Sequence, residues 1–223
     1  MQKYKLALAL TTFASASFIS TAALAEQSAF GGFYGQAGIG YGSTSLSSTG
    51  GTYNDGSGNN YSISTNRTNS FTGTVGLGAY FPVANYFLLG VGAEYAPIAG
   101  SQANYTLSVP AETISNAGTY NLKNSYNLFI SPAIAINKDS LAYAKIGFTG
   151  SSFAIGTNTP NPANINSSGL SLGLGYKQII RGGLYGFGEL NYASYSARPD
   201  GLGTGGTIKP TTTSALVGVG YKF

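Results

Sequence analysis

The 223-residue chain has no cysteine, no histidine and no tryptophan, and only 8% of its residues are charged. Without cysteine there is no disulfide, no thiolate chemistry and no lipid attached through a cysteine. Without histidine the usual base or relay of hydrolytic and acyl-transfer sites is missing. A water-facing domain normally carries roughly a quarter of its residues as charges, so this scarcity argues against one. No stretch reaches the ~18 consecutive apolar residues of a membrane-spanning helix. Setting aside Lys3 and Lys5 of the leader described next takes the 11 basic residues to 9 against 7 acidic ones. They form no cluster, which excludes a nucleic-acid footprint. Nor do the residues suggest a metal ligand set or a cofactor motif: the glycine-rich pieces Gly50-Gly51 and Gly201 to Gly206 lack the Lys and Ser/Thr spacing of a phosphate loop.

What is present is glycine (33), tyrosine (17) and phenylalanine (12) in alternating patterns. The first 25 residues stand apart. Lys3 and Lys5 precede an apolar run from Leu6 through Ile19, and Ala23-Leu24-Ala25 closes the segment, the pattern of a secretory signal peptide cleaved after Ala25. Residues 26–223 are then one exported domain.

Period-two alternation predicts eight strands in that domain. The last one, Thr213 to Phe223, places Ala215, Val217, Val219, Tyr221 and Phe223 on one face and Ser214, Gly218, Gly220 and Lys222 on the other. The others begin at Gly32, Ser70, Phe87, Tyr126, Leu141, Gly169 and Gly183. Pro132 interrupts the fourth and suggests a bulge or bend there. Short turns are expected at Pro82 to Asn85, Asn137 to Ser140 and Gln178 to Gly182. Long polar segments, 45–66, 98–124, 149–167 and 196–212, read as exposed loops.

Long and short connections therefore alternate. Membrane β-barrels have short turns at one end and long external loops at the other, with strands whose apolar residues are diluted by alternation. Phe81, Tyr86, Phe87, Tyr176, Tyr221 and Phe223 gather beside the short turns, as an interfacial aromatic girdle does. The fold class is all-β: an eight-stranded antiparallel transmembrane barrel with four long external loops and three short periplasmic turns. Closure satisfies every backbone group in lipid.

The tracts GFYGQAGIGYG (Gly32 to Gly42), GVGAEYAP (Gly90 to Pro97), AYAKIGF (Ala142 to Phe148), GFGELNY (Gly186 to Tyr192) and the terminal VGVGYKF resemble the outer membrane protein A-like and opacity-type family of small barrels. The resemblance covers essentially the whole mature chain and implies the bacterial outer membrane, with its lipid and lipopolysaccharide. It also implies that Val217, Val219, Tyr221 and Phe223 are read by the barrel assembly machinery.

Three charges fall in mid-strand: Glu94, Lys145 and Glu189. At the midplane of the lipid face a lysine would cost ~2–4 kcal/mol and a glutamate less, so all three are expected in the lumen as an ion-pair network. An inward Glu189 puts Gly186 and Gly188 on the lipid face. Tyr34, Tyr80, Phe129, Tyr143, Tyr185 and Phe187 share the inward parity and should fill an eight-stranded lumen, itself just wide enough for side chains. The functional expectation is a non-enzymatic, surface-exposed structural and interaction barrel whose loops meet host, phage or neighbouring-cell surfaces. The alternative is a small gated ion path opened when the Lys145 pairs rearrange.

Overall fold

A computed structural model describes residues 29–53, 58–97, 103–112, 114–157, 163–200 and 203–223. The leader, residues 1–25, and the expected cleavage after Ala25 lie outside the described residues. The strands are β1 (Gly32–Thr49), β2 (Gly51–Tyr53), β3 (Asn60–Thr65), β4 (Thr68–Pro82), β5 (Phe87–Ala96), β6 (Ala103–Val109), β7 (Ile114–Asn137), β8 (Ser140–Thr157), β9 (Ala163–Arg181), β10 (Leu184–Tyr195), β11 (Arg198–Pro199), β12 (Gly203–Thr204) and β13 (Thr207–Lys222). Eight of them close a ring in the order β1, β4, β5, β7, β8, β9, β10, β13 and back to β1, with every pairing antiparallel. Phe223, beyond β13, is tied in by its N–H, which donates to Phe33 O at 2.9 Å.

The alternation sorts side chains as the sequence expects. Phe33, Ile39, Phe71, Leu77, Leu128, Leu172, Leu190 and Val217 point outward and are exposed, while Tyr34, Tyr80, Phe129, Tyr143, Tyr185 and Phe187 point inward and are buried. Outward apolar residues of β4 run from Phe71 to Phe81. At ~3.3 Å per residue and a tilt of ~40° they make a band about 25 Å tall, matching the hydrocarbon layer a membrane barrel spans. Inside, large and small residues interlock. A Cβ on Gly90 would lie 2.6 Å from the Tyr80 ring and one on Gly92 2.5 Å from Phe129, and those on Gly175 and Gly220 would collide with Tyr143 and Tyr185. The inward glycines are the spaces into which the neighbouring strands' aromatic rings fit.

Three connections at one end are short: 83–86, 138–139 and 182–183. Each departs a little from the sequence expectation. The first runs one residue later than Pro82 to Asn85, because Pro82 still pairs with Leu88. The second keeps only Lys138 and Asp139, where the Asp139 N–H donates to Asn137 Oδ1 at 2.9 Å. The third is not Gln178 to Gly182: β9 continues through Arg181, and Gly182 makes the turn at a φ of 59° that favours glycine.

Pro132 makes no bulge in the β5–β7 ladder, where it stands in register opposite Leu89, but Ser131 and Pro132 pair with nothing on β8, so that ladder is interrupted at the residue that lacks an N–H; the β7–β8 register shifts lie elsewhere, at Leu122/Asn124 and Ala135/Asn137. A larger expectation is overturned: where they are described, the segments 45–66, 98–124, 149–167 and 196–212 are not simply loops. β1, β7, β8, β9 and β13 run on past the apolar band, and β3 pairs with β6, β6 with β7, and β2 with β3 and β12. The result is a β-structured crown over the long-connection end of the barrel. Its strands are polar on the water side, so they lack the apolar stripe that marks a strand in lipid.

Candidate functional site: the charged lumen and the crown

The three mid-strand charges meet. Glu94 is set inward by β5, Lys145 by β8 and Glu189 by β10, and the Lys145 side chain is 2% exposed. Its Nζ donates to Glu94 Oε1 at 2.8 Å and Oε2 at 2.7 Å, and to Glu189 Oε1 at 2.6 Å. Tyr143 OH donates to Glu189 Oε2 at 2.7 Å, and Asn191 Nδ2 to Glu189 Oε1 at 2.7 Å. Gln36 Nε2 reaches Glu94 Oε1 at 3.4 Å. A buried charge is tolerated only when its remaining lone pairs and protons also find partners, and here they do. Small residues make room: a Cβ on Gly76 would lie 2.9 Å from Glu94 Cγ, and one on Gly173 3.0 Å from Lys145 Cε. As expected, Gly186 and Gly188 face outward, with open space above Gly188.

Sequence reasoning missed a fourth lumen charge, Lys177, which is 1% exposed. Its Nζ lies 3.7 Å from the ring centroid of Tyr34, 4.9 Å from that of Tyr185, 5.1 Å from Tyr80 and 5.2 Å from Tyr143. No ion pair among the described residues includes it. Strand parity was the available signal, since outward Leu170, Leu172, Leu174 and Tyr176 force Lys177 inward. The polar partners Gln36 and Asn191, and Asn127, whose side chain also hydrogen-bonds Glu94, were missed for want of any charge to mark them.

Toward the short turns the lumen is packed by Phe30, Tyr34, Tyr80, Leu88, Leu141 and Tyr185. Toward the crown, a cavity of about 110 Å³ opens above Glu94, lined by Thr72, Thr74, Asn127, Ser171 and Asn191 among others. The ionic layer therefore divides a polar upper chamber from an aromatic plug.

The crown has small cores of its own: Leu46, Ala103, Tyr105 and Tyr120; Tyr61, Leu107 and Val109; and Phe153, Ala193 and Tyr195. Tyr61 OH donates to Asp200 Oδ2 at 2.6 Å, linking β3 to the segment before β12. Burial, then that hydrogen bond, raises the Tyr61 hydroxyl well above its ordinary value, and burial pushes Tyr120 up to about 12. On the outer wall Val217, Val219, Tyr221 and Phe223 are exposed side by side on one face of the terminal strand.

The chain is similar to several solved structures. OprG of Pseudomonas aeruginosa, an outer membrane protein, aligns with a TM-score of 0.53 at 14% identity, over 88% of this chain and 98% of its own. The attachment invasion locus protein Ail of Yersinia pestis aligns at 0.44 and 14% identity, over 86% and 99%. The outer membrane protease OmpT of Escherichia coli aligns at 0.47 and 10% identity, over 87% and 98%. No curated protein sequence matches the chain. The model of the outer membrane protein beta-barrel domain matches residues 11–223. With its closed antiparallel ring and apolar outer band, the chain belongs to that family of small bacterial outer-membrane barrels.

Proposed function

We propose that the protein is a non-enzymatic, surface-exposed barrel whose crown is its interacting part and whose lumen is closed. On this reading residues 1–25 direct export and are removed after Ala25, residues 26–223 form the barrel domain, and the assembly machinery reads Val217, Val219, Tyr221 and Phe223. Lipid and lipopolysaccharide surround the wall, and the crown meets a host, phage or neighbouring-cell surface.

The observation that carries the reading is the crown's construction. A connection that served only to join strands would need neither the paired strands β3 and β6 nor a core of Tyr61, Leu107 and Val109. Structure built beyond the membrane band holds a surface in a fixed shape, which lowers the ordering cost of binding. The lumen argues for closure and against catalysis, because Glu94 and Glu189 both bind Lys145 and aromatic packing lies beneath them.

The test is attachment. Displayed on a non-adherent bacterium, the full chain should confer binding to host cells or to sister cells. A version with 51–65 and 103–119 replaced by short Gly/Ser links should keep heat-modifiable folding and lose that binding. Equal binding by both, or none by either, overturns the proposal, and ion conductance of the refolded wild type would restore the gated-path alternative.

A further inference from the structure

Lys177 is buried deep in the wall of an aromatic chamber, where a leucine or methionine would fill the same space without stripping an ammonium group of water. The four rings around its Nζ supply what water would have supplied: a negative π face on several sides, with Tyr34 closest at 3.7 Å. Three of their hydroxyls are otherwise engaged. Tyr143 OH donates to Glu189 Oε2 at 2.7 Å, Tyr185 OH to Gln36 Oε1 at 3.1 Å, and Tyr80 OH pairs with Ser131 Oγ at 3.0 Å. Tyr34 and Tyr80 stack at 5.4 Å, and Tyr34 and Tyr185 meet edge-on at 6.5 Å, which holds the faces in place. A phenol that gives its proton toward a carboxylate becomes richer in electrons, so the bond from Tyr143 to Glu189 strengthens the same ring's attraction for a cation. Charge adds a second argument. Glu94 and Glu189 outnumber Lys145 within the ionic layer, and Lys177 brings the lumen to neutrality.

We propose that Tyr34, Tyr80, Tyr143 and Tyr185 form a binding site for a primary alkylammonium ion, that Lys177 is its tethered occupant, and that this occupancy keeps the short-turn half of the lumen closed. The site recognises a small cation with an apolar tail: the cage takes the ammonium, and the stem runs along the wall between Leu141 and Phe187, the residues paired with Lys177 on β8 and β10. None of this depends on what the crown binds.

Truncation tests it, because Lys177→Ala removes a fragment equivalent to n-propylammonium. The variant refolded in detergent should show an unfolding equilibrium constant raised roughly thirtyfold. Added n-propylammonium should recover about tenfold of that at about ten times its dissociation constant, the methylene protons beside its nitrogen shifting upfield under the tyrosine rings. The uncharged n-propanol should recover none. Recovery by propanol equal to that by propylammonium, or by neither, overturns the proposal. Wild-type protein labelled in lysine gives a reading independent of whether the variant folds. The ε-methylene protons of Lys177 should lie well upfield of those of exposed Lys138 and Lys209 in mildly acidic solution, where Nζ carries its proton. Unshifted methylene protons would equally overturn it.

Discussion

Replacing Lys145 by alanine isolates the ionic layer. The substitution removes the donor that holds Glu94 Oε1 and Oε2 at 2.8 and 2.7 Å and Glu189 Oε1 at 2.6 Å. It leaves two carboxylates that a shared partner had drawn together, with Tyr143, Asn191 and Gln36 still bonded to them. At ~5 Å and an effective dielectric of ~20, their repulsion is about 3 kcal/mol. Removing one member of a buried pair costs ~3–5 kcal/mol by experience, so the figures agree. Protonation of one carboxyl relieves the repulsion. From the ordinary glutamate value, that costs about 4 kcal/mol at about pH 7 and about 1 kcal/mol at about pH 5. The expected loss of stability for Lys145→Ala is therefore ~3–4 kcal/mol near pH 7, shrinking to ~1 near pH 5. Lys145→Met combined with Glu189→Gln should recover part of it at neutral pH, since the amide still accepts from Tyr143 and the repulsion between two carboxylates is gone, while Glu94 keeps a charge without its cation. The assay is urea unfolding in detergent, read by the gel shift between folded and heat-unfolded barrel. Wild-type stability of Lys145→Ala at neutral pH, or a loss that does not change with pH, would refute the reasoning.

Three further outcomes follow from the geometry. Deleting Phe223, which is 78% exposed and bonded through its N–H to Phe33 O, should leave export intact and sharply reduce the heat-modifiable form in the outer membrane; normal amounts would remove the terminal strand's assembly role. Gly175→Ala pushes a methyl into the Tyr143 ring and should destabilise by ~1–3 kcal/mol, whereas Gly188→Ala, pointing into open space, should change little; equal effects in urea unfolding would contradict the interlocked packing. Tyr61 stabilises the crown as a neutral phenol, and its hydroxyl is raised in the fold, so its contribution is complete below the ordinary tyrosine value of about 10 and is lost as the pH climbs above it. Proteolysis of the crown should accelerate above that pH while the membrane band stays folded, and less so in Tyr61→Phe.

The membrane-spanning part was legible because lipid imposes a strict rule on each strand. Outward positions must be apolar and inward ones small, aromatic or paired, so Val217, Val219 and Tyr221 or Leu170, Leu172 and Leu174 declare their face without ambiguity. The same rule placed Glu94, Lys145 and Glu189 in the lumen. It was silent on the crown, where both faces of a strand meet water or thin cores. Tyr105, Leu107 and Val109 do alternate with Asn104, Thr106 and Ser108, but so short a pattern sits inside a polar stretch rich in turn residues. Lys177 stands immediately before the turn expected at Gln178 to Gly182, where alternation has no residue beyond it to fix its face. Parity alone could place it, yet nothing in one strand reveals that four tyrosines from four other strands converge on it.

Because β8 and β9 pass from the membrane band into the crown as unbroken strands, from Ser140 to Thr157 and from Ala163 to Arg181, inside and outside share a single phase. An insertion of one residue at Ser151 would turn over every side chain on one side of it: either the crown core at Phe153 would face water, or Lys145 would face lipid. Sequence drift on the displayed surface is thereby confined to substitution within strands and to length changes between them. A barrel built this way can change what its crown presents far more easily than how far its strands extend.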